Sequence, residues 1–266
     1  MTLTGAGFVY NTQLFLLIMA RVFALIEIAP MVSSESIPQQ VKVALSLLCS
    51  FLVFPWVAAT GYPIPDDGLA YVLLLLGEAL VGVIMAFFLA IIYVAFQVSG
   101  QLFSLQMGFG ASQVFDPLAQ VEIPLMGQLL NLVAMMIFVG VEGFQRLFYL
   151  GVVRSFQAVR AVDFVGVRQG LLVGMLVRLS QLFQYSLILA FPILGTLVLV
   201  YVAMGLLAKA APQMNLLILG FPISISVSFL LIFVSMPFLV DAFASLLDHA
   251  FDGLLEVLRL AREGAA

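Results

Sequence analysis

Apolar residues run along this chain in blocks too long and too unbroken for the alternating faces of a soluble fold. The first block, Phe8 to Ala29, is interrupted only by Arg21 and Glu27. A turn rich in Ser and Pro occupies Pro30 to Gln40, and a second block runs from Val41 to Val57 with Lys42 near its start. GYPIPDDG, from Gly61 to Gly68, reads as a loop, because Gly and Pro punctuate regular structure. Leu69 opens a third block that includes Glu78 and then a charge-free run from Ala79 to Phe115. As one helix that run would be about 55 Å long at about 1.5 Å per residue, against a hydrocarbon core of about 30 Å. The chain is therefore expected to turn or leave the helix within it. A fourth block, introduced by Glu122 and Pro124, reaches about Val141. Two more follow, one to Leu207 containing Pro192, the other from Ala210 to Val240 containing Pro212, Pro222 and Pro237. The short polar turn between them, Lys209 to Asn215, makes the pair a helical hairpin. The tail from Asp241 is amphipathic, with Asp248, Asp252 and Glu256 on one strip, which either faces solvent or meets a basic partner. The pattern predicts an all-α membrane protein of long, proline-broken helices in hairpins, with six spans.

The third block ends in a stretch unlike the others, Gln106 to Pro117. Gly108 and Gly110 permit backbone conformations that other residues avoid, and Pro117 disfavours helix at Asp116, the first charged side chain after the run. Irregular backbone at membrane depth is tolerated only inside protein or lining a cavity. Met107, Gly108, Phe109, Gly110, Ala111, Ser112, Gln113, Val114 and Phe115 are accordingly read as a candidate plug.

Composition narrows the class. Of 266 residues, 64% are hydrophobic and 9% charged, more apolar surface than a soluble domain can hide. A net charge of −4 argues against nucleic acid, which needs a basic surface. The opening MTLTGAGFVYNTQLF lacks the features of a cleaved secretory signal. Cys49 is the only cysteine and His249 the only histidine, so no internal disulfide and no histidine-paired metal site is expected. The twelve methionines are read as packing residues rather than a soft-metal path. No nucleophile with a plausible base and no phosphate-binding loop is evident, which excludes the common enzyme classes and implies no cofactor.

Charges inside the spans are expensive and normally meet a partner or a wet interior. Arg21 and Glu27, about 120° apart on a helix, do not face each other and are expected, with Glu78, to make buried or inter-subunit polar contacts. Glu142 and Arg146 are spaced for an i,i+4 pair. Arg146, Arg154, Arg160, Arg168 and Arg178 form a basic region, read as a solvated loop that lies with Arg259 and Arg262 on the cytoplasmic side, opposite Lys42 and Lys209. Small residues at four-residue spacing (Gly82, Ala86, Ala90; Gly100, Ser104, Gly108; Gly220, Ser224, Ser228) are read as close-packing stripes.

Three segments carry a family resemblance: ARVFALIEIAPMVSSESIPQQVKVALSL from Ala20, LQMGFGASQVFDP from Leu105, and AKAAPQMNLLILGFPI from Ala208. With them the chain resembles the FliR family of flagellar type III export-gate subunits and its relatives in virulence secretion. Asp116, Pro117, Pro212, Gln213, Asn215, Gly220 and Pro222 belong to these signatures. The loop after Ser155 departs from flagellar relatives, which often carry a Pro-Gly turn there.

The resemblance implies a non-enzymatic pore subunit in the bacterial inner membrane, in the flagellar basal body. It implies assembly with FliP and FliQ, contact with FlhB, and passage of unfolded flagellar proteins as cargo. It implies a FliP-like part over about 1–175, whose loop 106–117 helps close the pore, and a FliQ-like hairpin and tail over about 176–266. Arg21, Glu27, Glu78 and Arg178 would be buried or inter-subunit partners. It further implies that helices read as plain spans are tilted and held by partner subunits. The rival from another class is a secondary transporter, since proline-broken helices and intramembrane charges also mark substrate sites.

Overall fold

The computed structural model describes residues 5–34, 37–108, 125–158, 161, 163–213 and 215–263. Among the described residues all regular elements are helical. They are α1 (Gly5–Ile28), α2 (Gln39–Ala59), α3 (Gly68–Met107), α4 (Leu125–Gly140), α5 (Gly143–Phe148) with a π-helical continuation (Tyr149–Arg154), α6 (Ser155–Ala158), α7 (Asp163–Ala210) and α8 (Leu216–Glu263). Among the described residues, five helices are long and apolar enough to cross a membrane. A sixth span arises if Leu125–Gly140 and Gly143–Arg154, bent by 74°, count as one.

α3 stays helical for 40 residues and leaves the helix only at Gly108. Two of the expected boundaries differ. The basic region, read as a loop, is helical from Asp163, so that Arg178 lies within α7, and the tail after Asp241 continues α8 without a break. The 74° bend has a local cause: Glu142 takes φ +58, a left-handed conformation that interrupts the ladder between α4 and α5.

The chain divides into two compact units. The first comprises Met1–Ile91, Glu142–Arg178 and Leu247–Ala266; the second, Ile92–Val141 and Leu179–Leu246.

In the first unit α1 buries Leu14, Leu17, Ile18, Arg21, Val22 and Leu25, the three-and-four spacing of one helical face, and packs against α2. α2 is turned the other way from a soluble helix. Over its first three turns it buries Lys42, Ser46 and Ser50, with Val53 and Val57 following on the same side, and exposes Val41, Leu48, Phe51 and Leu52. Lipid is as apolar as leucine, so burying leucine in a bundle brings no gain over leaving it in lipid, and the polar side turns inward. The buried serines spend their donors on the preceding turn, Ser46 to the Lys42 carbonyl at 2.7 Å and Ser50 to that of Ser46 at 2.6 Å. Asp67 caps the start of α3 by accepting from the Ala70 amide at 3.0 Å.

In the second unit Tyr93 and Phe96 of α3, Phe138 of α4 and Phe243 of α8 form an edge-to-face cluster, with ring centroids at 5.7 Å for Tyr93–Phe138, 5.3 Å for Tyr93–Phe243 and 4.5 Å for Phe96–Phe243. Beside it, α3 and α4 cross at two glycines. A Cβ on Gly100 would lie 2.7 Å from the Gly127 Cα.

Candidate functional site

Two constellations hold most of the residues singled out in the sequence. The first lies within the first unit and is a buried charge cluster. Arg21 and Glu78 are both fully buried and form an ion pair, with the Arg21 Nε 2.5 Å from Glu78 Oε2. The carboxylate also accepts from the Tyr62 hydroxyl and from the Ala161 amide, the latter at 3.1 Å. Burial above all, and then the adjacent Glu78 charge, push the Tyr62 phenol up, so it stands as a neutral donor. On the arginine side, Nη1 donates to Ser155 Oγ at 3.1 Å, and the guanidinium lies 3.9 Å from the Phe156 ring centre.

The π-helical segment Tyr149–Arg154 leads directly into Ser155, whose hydroxyl donates back to the Gly151 and Val152 carbonyls at 2.7 and 2.9 Å. Gly151 lets α1 approach, since a Cβ there would come within 2.6 Å of Leu25 Cδ1. Gly82 does the same on α3, where a Cβ would strike the Arg21 carbonyl.

Glu27 is elsewhere. It is half-exposed and meets Gln39 at 2.9 Å and Lys42 at 3.3 Å. Arg146 reaches Asp248 at 2.5 Å rather than closing the expected i,i+4 pair; only its amide meets the Glu142 carbonyl, at 3.1 Å. Arg178 lies 3.9 Å from Glu256 and over the Phe88 ring at 5.9 Å, and Gly253 leaves room for its guanidinium. Two of the three acids on the tail strip thus meet arginines of the same chain.

The second constellation is the end of α3, in the second unit. Met107 is fully buried, and Gly108 takes φ +93. A helix end leaves its last carbonyls without intrahelical donors, a serious cost in apolar surroundings. Here the Gly108 amide bonds the Leu105 carbonyl at 3.2 Å, and the Tyr201 hydroxyl from α7 bonds that of Gln106. A left-handed glycine just past a helix is a common terminator. This one is also sterically required, because a Cβ would enter the Phe221 ring of α8.

Phe221 stands between Gly220 and Pro222, two of the signature residues. Gly220 is buried within 3.5 Å of Met204 for an added Cβ, and Pro222 is exposed. Pro212 and Gln213 are exposed in the hairpin turn, and Asn215 caps α8, its Oδ1 accepting from the Ile218 amide at 3.4 Å. Two of the three signature segments, from Leu105 and from Ala208, therefore meet at Gly108 and Phe221. The remainder of the expected plug, Phe109, Gly110, Ala111, Ser112, Gln113, Val114 and Phe115, lies outside the described residues, as do Asp116 and Pro117.

Sequence reasoning missed Tyr62, Ser155, Tyr201 and Phe221. A signal for the first pair was available: one arginine in α1 and one glutamate in the following apolar block demand each other and further donors. Nothing local marks Tyr201.

Among the described residues, no group of three or more His, Cys, Asp or Glu side chains could hold a metal ion. The class these features define is an all-α, multi-pass membrane protein whose polar groups serve packing and helix ends. Residues 12–250 match the family described as bacterial export proteins, family 1. The chain is 30% identical to the flagellar biosynthetic protein FliR of Borreliella burgdorferi over 244 residues, covering 91% of this chain and 90% of that protein. It is 26% identical to the FliR of Escherichia coli, over 90% of each chain, and 27% identical to that of Bacillus subtilis, over 84% and 85%. The chain belongs to the FliR family of bacterial export proteins.

Proposed function

We propose that this chain is a pore-building subunit of the flagellar type III export gate and that its segment 106–117 closes the conduit. As a member of the FliR family it is a non-enzymatic gate subunit of the bacterial inner membrane, in the flagellar basal body, and it associates with other components of the export gate.

The finer reading names those components as FliP and FliQ in one hetero-oligomer, with FlhB in contact and unfolded flagellar proteins as cargo. It takes residues 1–175 as a FliP-like part and 176–266 as a FliQ-like hairpin with its tail. The turn between α7 and α8, with Asn215 capping the second helix, supports the hairpin.

The observation that carries the plug reading is the finish of α3: a buried methionine, a left-handed glycine and a carbonyl that accepts from a hydroxyl of α7. A helix that ends so deliberately releases the chain into Phe109 to Phe115 at a fixed point. Met107, Phe109, Val114 and Phe115 would fill a closed bore and exclude ions by dewetting. Gly108 and Gly110 let the segment move aside at small backbone cost.

Deleting Gly110 to Val114 tests this. The deletion strain is expected to leak ions across its inner membrane and to grow poorly when the gate is expressed. An unchanged barrier together with normal export removes the plug role.

A further inference from the structure

We propose that Tyr201 and Phe221, one from each helix of the C-terminal hairpin, are positioning residues that anchor the root of the plug. The inference rests on the plug reading above and adds to it the residues that hold the segment in place.

Three observations converge on the root. The Gln106 carbonyl, one of the last four of α3, has no amide of its own helix to accept from and takes the Tyr201 hydroxyl instead. Gly108 is in a conformation that side chains rarely adopt, and the space its Cβ would need is filled by the Phe221 ring. Between these posts Met107 is buried with no exposed surface. The direction in which the chain leaves α3 is therefore set by a hydroxyl from α7 and a ring from α8, not by α3 alone.

Each post has a definite chemistry. Replacing Tyr201 by Phe removes one oxygen, so the exposed Gln106 carbonyl loses the donor that ties the last turn of α3 to α7. Removing the Phe221 ring opens the space beside Gly108 and frees its backbone to take other conformations. The hairpin can then shift without displacing the root, so closure loses its coupling to the hairpin. That makes the two side chains part of the gate's setting even though neither lies in the segment that would fill the bore.

The test uses the whole gate assembled in membranes, with assembly followed by copurification and closure by ion leak in the absence of cargo. Tyr201→Phe and Phe221→Ala are expected to assemble at normal levels and to leak several-fold more than the parent. Phe221→Tyr, which keeps the ring, is expected to stay tight. Should Phe221→Ala fail to assemble, the milder Tyr201→Phe decides alone. Assembled variants that stay tight while the Gly110 to Val114 deletion leaks would overturn the anchoring role and leave the plug standing. If the deletion is also tight, the plug reading falls and the anchor falls with it.

Discussion

Arg21 has no exposed surface, and a guanidinium so placed is tolerable only because each side of it meets something. Nε and Nη2 face Glu78, Nη1 faces Ser155, and the flat face lies on Phe156. Such a pair need not add much net stability, since removing both charges from water costs nearly what their attraction returns. Breaking it is different: one uncompensated buried charge costs about 3–5 kcal/mol. Glu78→Gln keeps acceptors for Tyr62 and Ala161 but strands the arginine, so the purified gate complex should melt well below the parent. Adding Arg21→Met to that background should recover most of the loss. Equal melting of the Glu78→Gln and parent complexes would show that the pair is already screened, against its burial.

At the scale of the helix, close approach is decided by single missing carbons. Gly100 sits where a Cβ would be 2.7 to 2.8 Å from the backbone of Met126 and Gly127, so α3 and α4 cannot keep their contact with alanine there. Gly100→Ala should cost about 1–3 kcal/mol by overpacking. Gly140→Ala, with nothing near its Cβ, should be neutral or slightly stabilising by helix propensity. Comparing the two melting shifts separates steric cost from propensity, and equal shifts would remove the close-packing account. The stripe holding Gly100 was legible in the sequence because lipid-embedded helices favour small residues where they touch. The glycine end of α3 and the hairpin turn were legible too, since Gly, Pro and Asn announce helix ends wherever they fall. What could not be read was which charges end a helix and which are carried along one. Arg178 and Asp248 looked like signs of loop and tail. They lie within α7 and α8, where Glu256 and Arg146, remote in sequence, face them. The bend at Glu142 was hidden for the opposite reason: a left-handed glutamate leaves no pattern in neighbouring residues. The buried cluster was half legible, its two charges from the cost of burying them, its Tyr62 and Ser155 donors only from the fold.

For the molecule as a whole the question is what covers its apolar surface. Within the second unit α7 exposes Leu179, Phe183, Phe191, Leu199 and Leu207, a stretch of about 42 Å at about 1.5 Å per residue. To hide that in a hydrocarbon core of about 30 Å, the helix would tilt by about 44°, past the 0–40° that single spans show. The band also contains the exposed Pro192, which withholds an amide from the Ile188 carbonyl, while Thr196 is committed to the Pro192 carbonyl at 2.9 Å. A surface too long for lipid and interrupted by a proline calls for protein against it, as a subunit of a hetero-oligomeric gate would supply. Expressed without the other gate subunits, the chain should be degraded or elute as aggregate in mild detergent. Expressed with them, it should elute in one sharp peak and melt at a clearly higher temperature. A monodisperse lone chain melting at the temperature of the complex would mean that lipid or detergent alone suffices to cover α7, and the length argument for a partner would fail.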